Sequence, residues 1–96
     1  MEIFKFSHSE GYEIIAANNA KEAIMYYFTD HMDDIYTDDL VATGGIKIRK
    51  LDDEEATELR KIYDDDRKDV KWQSYKELAE KNFNGQPIVV AYRIDV

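Results

Sequence analysis

The amino-acid sequence predicts an α+β fold, with a four-stranded, mostly antiparallel sheet and about three helices packed on one face. Four segments alternate or run apolar as strands do, and three further segments combine a helix N-cap with an apolar stripe at helical spacing. The chain has 96 residues, the usual size of one domain, and its composition shows no internal break. We therefore expect a single domain over residues 1–96, in the order β-β-α-β-α-α-β.

The strand predictions rest on alternation and on turn residues. Ile3–Phe6 and Tyr12–Ala17 read as a β-hairpin whose loop spans the five residues from Ser7 to Gly11, and Gly11 can supply a positive φ. Residues 46–51 predict the third strand. Residues 88–94 begin as a run that is apolar on both faces, which predicts either a central strand or a strand covered on both sides.

The helix predictions rest on capping signals. Asn19, Asp52 and Ser74 each stand three residues before a glutamate, the spacing of a capping box. The first helix should run from 20 to 32. The second should present an apolar side made by Ala56, Leu59, Ile62 and Tyr63 and be followed by a polar loop over 64–69. The third should end at the Gly85-Gln86-Pro87 stop signal.

The charge of the chain excludes some partners. The net charge is −8, and residues 30–69 hold 14 acids and 7 bases, so this middle part carries −7 of it. We expect no direct binding to nucleic acid or to an anionic membrane. No apolar run reaches the length of a membrane span, and the first residues lack the apolar stretch of a signal peptide, so the expected location is cytoplasmic.

Motifs for catalysis or cofactor binding are not recognisable. The chain has no cysteine, which excludes disulfides, thiolate zinc sites and thiol catalysis. His8 falls in the predicted hairpin loop, where we expect a solvated side chain. The aspartates at 64–69 fail the EF-hand spacing, because the fifth position of such a loop is Lys68 and the twelfth is Tyr75. The sequence therefore predicts no catalytic residue, no metal site and no cofactor, and we expect the protein not to be an enzyme.

The acidic middle part, together with tyrosine, forms the candidate interaction surface. Seven of the 96 residues are Tyr, a side chain enriched at protein interfaces because it joins an apolar ring to a polar hydroxyl. A solvating role for the acids, and a rim position for the tyrosines, explain the same features without a partner. The candidate residues are Asp33, Asp34, Tyr36, Asp38, Asp39, Asp52, Asp53, Glu55, Glu58, Asp64, Asp65 and Asp66.

The first third of the chain resembles small uncharacterised proteins of bacteria and prophages. The resemblance rests on a hairpin that ends in Ala16-Ala17 and on a helix that contains Glu22-Ala23 and Tyr26-Tyr27. It implies no known activity. It implies a mobile-element setting, where small acidic inhibitors of host proteins occur.

Three functions stay open from the sequence. The first is a small non-enzymatic protein-interaction module with an unknown protein partner. The second is an acidic inhibitor of phage or prophage type, which would mimic nucleic acid and block a basic host protein. The third is a small-ligand binder or an enzyme. The chain is expected to be a monomer or a small homo-oligomer.

Overall fold

The main sheet has four antiparallel strands, β1 (Glu2–His8), β2 (Gly11–Ala17), β3 (Lys47–Lys50) and β6 (Ile88–Ile94), in the order β3-β1-β2-β6. The computed structural model describes residues 1–31, 45–63 and 70–94. Two further strands, β4 (Arg60–Tyr63) and β5 (Val70–Gln73), form a separate antiparallel pair, which we call the arm. The helices of these ranges are α1 (Ala20–Tyr26), which continues as a π-helical turn (Tyr27–His31), α2 (Asp53–Thr57) and α3 (Tyr75–Asn82). The predicted α+β class and four-stranded antiparallel sheet are confirmed.

Each predicted helix start is confirmed at its N-cap. The side chains of Asn19, Asp52 and Ser74 accept hydrogen bonds from the backbone N–H three residues on, at 2.9, 2.8 and 3.0 Å. Such a bond satisfies one of the backbone donors that the first turn of a helix leaves without a helical partner. The local sequence was therefore enough to place these three boundaries.

The sheet has an apolar core on each face. Successive side chains of a strand point to opposite faces, so the run Ile14-Ile15-Ala16-Ala17 is buried on both. The first core, under α2 and α3, consists of Ile3, Ile14, Ala16, Leu51, Ala56, Tyr75 and Ala79. The second core, under α1, consists of Phe4, Phe6, Ile15, Ala17, Ala23 and Tyr27. The expectation of helices on one face only is therefore wrong, because both faces of β2 require cover.

The first hairpin has a tighter turn than predicted. His8 pairs with Gly11, so the turn has two residues, Ser9 and Glu10, and Ser7 and His8 belong to β1. Gly11 has a φ of 148°, which agrees with the conformational role predicted for this glycine. The strand is longer than its apolar part because the ladder is made by backbone groups, which residues with polar side chains supply as well as apolar ones.

The second helix is shorter than predicted, and the element order within the described residues is β-β-α-β-α-β-β-α-β. The helix α2 ends at Thr57, and the chain then turns extended and pairs β4 with β5. The guanidinium of Arg60 donates hydrogen bonds to the backbone oxygens of Glu55 and Glu58, at 2.9 and 3.2 Å. These bonds satisfy carbonyls at the helix C-terminus, which stabilises the early stop.

The last strand lies at an edge of the main sheet. Val89 packs against the core under α1, whereas Ile88, Val90 and Ala91 pack against the core under α2 and α3. Of the two alternatives for this segment, a strand covered on both sides is the one observed, and the central position is not. A one-residue irregularity in its pairing with β2, opposite Ile14 and Ile15, lets the successive residues Val90 and Ala91 pack against the same core.

Candidate interaction surface

The arm presents the most exposed large apolar group of its region. Trp72 is 60% exposed, although tryptophan is usually well buried in folded domains. The pairing of β4 with β5 places Trp72 opposite Lys61, whose Nζ lies 5.6 Å from the centre of the indole ring. Leu59, which is 55% exposed, lies two residues before Lys61. An exposed tryptophan beside an exposed leucine is typical of a surface that becomes buried in a complex.

The arm is attached to the body of the protein through Arg60. Its guanidinium lies over the ring of Tyr75, 4.1 Å from the ring centre, and also forms an ion pair with Glu58 at 3.2 Å. Tyr75 is buried in the first core, and burial together with a hydrogen bond to Tyr12 raises the pKa of its hydroxyl. Arg60 therefore holds the base of the arm against the core, whereas Trp72, three residues before the start of α3, is turned to solvent.

The described acids around α2 are engaged in structural interactions. Asp52 caps the helix, Glu58 pairs with Arg60, and Glu55 forms a hydrogen-bonded ion pair with Arg49 of β3. The hydrogen bond from Arg49 lowers the pKa of the Glu55 carboxyl. Asp53 is exposed in the first turn, where the helix dipole favours a negative charge. The structure thus brings together the four predicted site residues Asp52, Asp53, Glu55 and Glu58.

The remaining predicted site residues lie outside the described residues. They are Asp33, Asp34, Tyr36, Asp38, Asp39, Asp64, Asp65 and Asp66. The described ranges contain 12 acids and 11 bases, a net charge of −1, so residues 32–44, 64–69 and 95–96, with 9 acids and 2 bases, account for −7. The described part of the chain is therefore close to neutral, although the whole chain is strongly acidic.

The charge changes sign along the chain between α2 and the arm. Residues 52–58 include five acids and no base, whereas the eight residues of the arm strands include Arg60, Lys61 and Lys71 and no acid. Leu59 stands at the change, directly before β4. Lys61 and Trp72 lie opposite each other and share one face of the arm, whereas Lys71 pairs with Ile62 and belongs to the other face. We call the exposed group made of Leu59, Lys61 and Trp72 the Trp72 surface.

A second polar cluster lies inside the fold, on the sheet face covered by α1. Glu13 is only 5% exposed, and its carboxylate accepts a hydrogen bond from the hydroxyl of Tyr27 at 3.1 Å. His8, whose side chain is 1% exposed, places Nε2 3.2 Å from the same carboxylate oxygen. The Glu10 backbone N–H donates to Nδ1 of His8 at 3.2 Å, so Nε2 carries the ring proton and donates to Glu13. The expectation that His8 is solvated is therefore wrong.

This buried cluster is arranged for stability rather than for proton transfer. A histidine that acts as a general base needs a ring nitrogen that can reach a substrate. Both ring nitrogens of His8 already have hydrogen-bond partners within the fold. The ring of Tyr27 stacks on Phe6, with the ring centres 4.3 Å apart, which fixes the position of its hydroxyl over Glu13. The cluster supplies hydrogen-bond donors to the buried carboxylate of Glu13, and a charged group in a protein core needs such partners.

The sequence holds a signal for this cluster that the prediction missed. Glu13 is the one charged residue in the apolar run of β2, and a charge in a strand covered on both faces needs a partner. With the two-residue turn, His8 stands opposite Gly11 and diagonal to Glu13 on the same sheet face. The assumed five-residue loop removed His8 from the strand and hid this relation.

Three comparisons with known proteins returned no match: no family model, no curated protein and no solved structure is similar to the chain. Within the ranges 1–31, 45–63 and 70–94, no three His, Cys, Asp or Glu side chains are grouped as metal ligands would be. Across the same ranges, no helix has the length and apolar character needed to cross a bilayer.

Proposed function

We propose that the chain is a non-enzymatic protein-interaction module and that its contact surface is centred on Trp72. The observation that carries the proposal is the exposure of this tryptophan, 60%, on a two-stranded sheet separate from the main one. A two-stranded sheet is only marginally stable alone, and burial of one face against a partner would stabilise it. Tryptophan is also among the residues that contribute most to binding energy at protein interfaces.

The inhibitor alternative, which would mimic nucleic acid, receives less support from the described acids. Mimicry needs carboxylates that are available at the surface with a spacing like that of phosphates. Three of the four described candidates are instead engaged within the protein, as an N-cap or in ion pairs with Arg49 and Arg60. The alternative therefore depends on the acids outside the described ranges, which carry most of the net charge.

The test compares three versions of the tagged protein as bait in an extract of the source organism, at low and at high salt. The wild type and Tyr92→Ala should retain the same partner, whereas Trp72→Ala should lose it. Tyr92 is the matched control because it is an aromatic residue on the main sheet and is 71% exposed. The captured protein, once purified, should shift the fluorescence of Trp72, the only tryptophan of the chain, to shorter wavelength.

Two results would contradict this proposal. Capture that is equally strong with Trp72→Ala would show that the contact lies elsewhere. A basic partner that is lost when Asp33, Asp34, Asp38 and Asp39 are changed to Asn, but retained by Trp72→Ala, would favour the inhibitor alternative instead. In that case binding should also weaken steeply with salt, because it would depend on many charges.

A further inference from the structure

The main sheet separates its charges between its two faces. Residues paired across strands lie on the same face, so the strand registers assign each side chain to a face. The face that packs under α2 and α3 carries the bases Lys5, Lys47, Arg49 and Arg93. The two acids of the four described strands, Glu2 and Glu13, belong to the other face, which packs under α1. One face of the sheet is therefore basic, although the whole chain is acidic.

The hairpin end of the basic face forms a row across all four strands. Ser7 pairs with Lys47 and with Tyr12, and Tyr12 pairs with Arg93, so the order across the sheet is Lys47, Ser7, Tyr12 and Arg93. The two ends of the row are exposed, and the two middle residues are partly exposed. In the next row, Nζ of Lys5 lies 4.4 Å from the centre of the Tyr12 ring. We call these five residues the platform.

One carboxylate of the protein already lies at the edge of the platform. Glu55 forms an ion pair with Arg49, which is paired across the strands with Lys5. The hydrogen bond from Arg49 and, more weakly, the charge of Lys5 lower the pKa of the Glu55 carboxyl. The bases here therefore favour a carboxylate in its charged form. Within the described residues Lys47 forms no ion pair, so its charge is available to a carboxylate from outside.

We propose that the platform binds an acidic segment of a partner protein, which lies across the strands with one carboxylate at Lys47 and another at Arg93. This is a second contact surface, on the main sheet instead of the arm, and it goes beyond the proposed function. Neighbouring strands are about 4.8 Å apart, so the two ends of the row are separated by roughly 14 Å. An extended peptide covers about 13 Å in four residues. The recognised segment therefore carries two acids four residues apart, with Ser7 and Tyr12 under the residues between them.

Single-stranded nucleic acid is the less favoured occupant. Such strands bind where bases line a groove and successive nucleobases stack on several aromatic side chains. Tyr12 is the one aromatic residue that the described strands place on this face. The net charge of −8 also repels a chain of many phosphates more strongly than a segment with two carboxylates. A short acidic peptide therefore suits the platform better.

The experiment measures the fluorescence anisotropy of a short labelled peptide that carries two glutamates four residues apart and otherwise alanine and threonine. Titration with the purified chain up to about 1 mM should show saturable binding at low salt. Added salt should weaken it, because the charges of the platform are exposed. A peptide with glutamine in place of both glutamates, and one with the two glutamates adjacent, should each bind at least about fivefold less tightly. A single-stranded oligonucleotide of the same length is measured in parallel.

A charge reversal on β3 has a matched control on the same strand. Lys47→Glu should weaken binding of the acidic peptide about tenfold or more, because it replaces an attraction by a repulsion. Lys50→Glu changes the net charge equally and is also exposed, but Lys50 stands opposite Phe4 and therefore belongs to the other face. It should bind the peptide as the wild type does. Circular dichroism should show the same fold for both variants.

The outcomes separate this inference from the proposed function. An acidic peptide that does not bind up to about 1 mM, or that is weakened equally by Lys47→Glu and Lys50→Glu, overturns the platform as its site. An oligonucleotide that binds more tightly than the peptide and is lost with Lys47→Glu overturns it in favour of nucleic acid. Trp72→Ala should bind the peptide as the wild type does, so failure of either surface leaves the test of the other unchanged.

Discussion

The two sheets of this protein solve the problem of apolar surface in opposite ways. Strands β1 and β2 of the main sheet carry a packed core on both faces, and even the buried carboxylate of Glu13 has donors from His8 and Tyr27. The arm pairs two strands of four residues and leaves Trp72 60% exposed. We therefore expect the main sheet to provide most of the stability of the fold, and the arm to expose apolar surface that the stability of the fold does not require.

The largest expected effect comes from the main sheet. Phe6 is fully buried and stacks on Tyr27, so Phe6→Ala should lower the free energy of unfolding by about 3–5 kcal/mol. Urea denaturation followed by circular dichroism measures this change. A loss below about 1 kcal/mol would mean that the face under α1 is not a packed core, and the contrast between the two sheets would disappear.

The second prediction tests the polar cluster inside the main sheet. Tyr27→Phe removes the hydroxyl that donates to the buried Glu13 carboxylate but keeps the ring stacked on Phe6. We expect a loss of about 1–3 kcal/mol in the urea denaturation, because a buried acceptor loses a donor. The matched control is Tyr92→Phe, which removes a hydroxyl from a tyrosine that is 71% exposed and should change almost nothing.

The third prediction concerns the ion pair that joins α2 to the main sheet. Arg49 lowers the pKa of the Glu55 carboxyl below its ordinary value of 4.5. A carboxyl with a lowered pKa in the folded state stabilises that state above the ordinary pKa, and this stabilisation is lost as the pH falls through the folded-state pKa. The wild type should therefore be slightly more stable than Glu55→Gln at neutral pH, and the difference should disappear in acid.

Arg49 supplies the control for that pH dependence. Both groups are exposed, so the effect should be small and should weaken in salt. Arg49→Gln should remove the same pH-dependent difference in the urea midpoint, and the double variant should lose no more than either single one. A pH-dependent difference that survives in Arg49→Gln would mean that another group lowers the pKa of Glu55.

The part of the fold that the sequence predicted is the part fixed by local interactions. Asn19, Asp52 and Ser74 were recognised because an N-cap bonds to a residue only three positions away. The arm was missed because Ile62 and Tyr63 fit an apolar helix side as well as a strand, and their pairing partners lie beyond residues 64–69. The spacing of apolar residues within a short segment does not distinguish a helix from a strand whose partner lies farther along the chain.

The candidate site was predicted less well, for a related reason. The candidate residues predicted from the sequence were mostly acids, because acids are numerous in the chain. Four of these predicted residues lie together around α2. Trp72 was not chosen, because the exposure of a side chain depends on which element covers it. His8 and Glu13 were separated by the assumed loop, and only the register of β1 with β2 brings them together.

The last prediction concerns the arm, where we expect a substitution to change stability very little. Trp72→Ala removes the largest side chain of the arm, yet in the isolated monomer it should change the free energy of unfolding by only about 0.5 kcal/mol or less, as exposed positions do. Urea denaturation of dilute wild type and variant, followed by circular dichroism, measures the difference. In the dilute wild type, Trp72 should also be quenched by acrylamide almost as readily as in the urea-unfolded chain. A loss comparable to that of Phe6→Ala would instead mean that the indole packs within its own chain, and the arm would then be a second core rather than a contact surface.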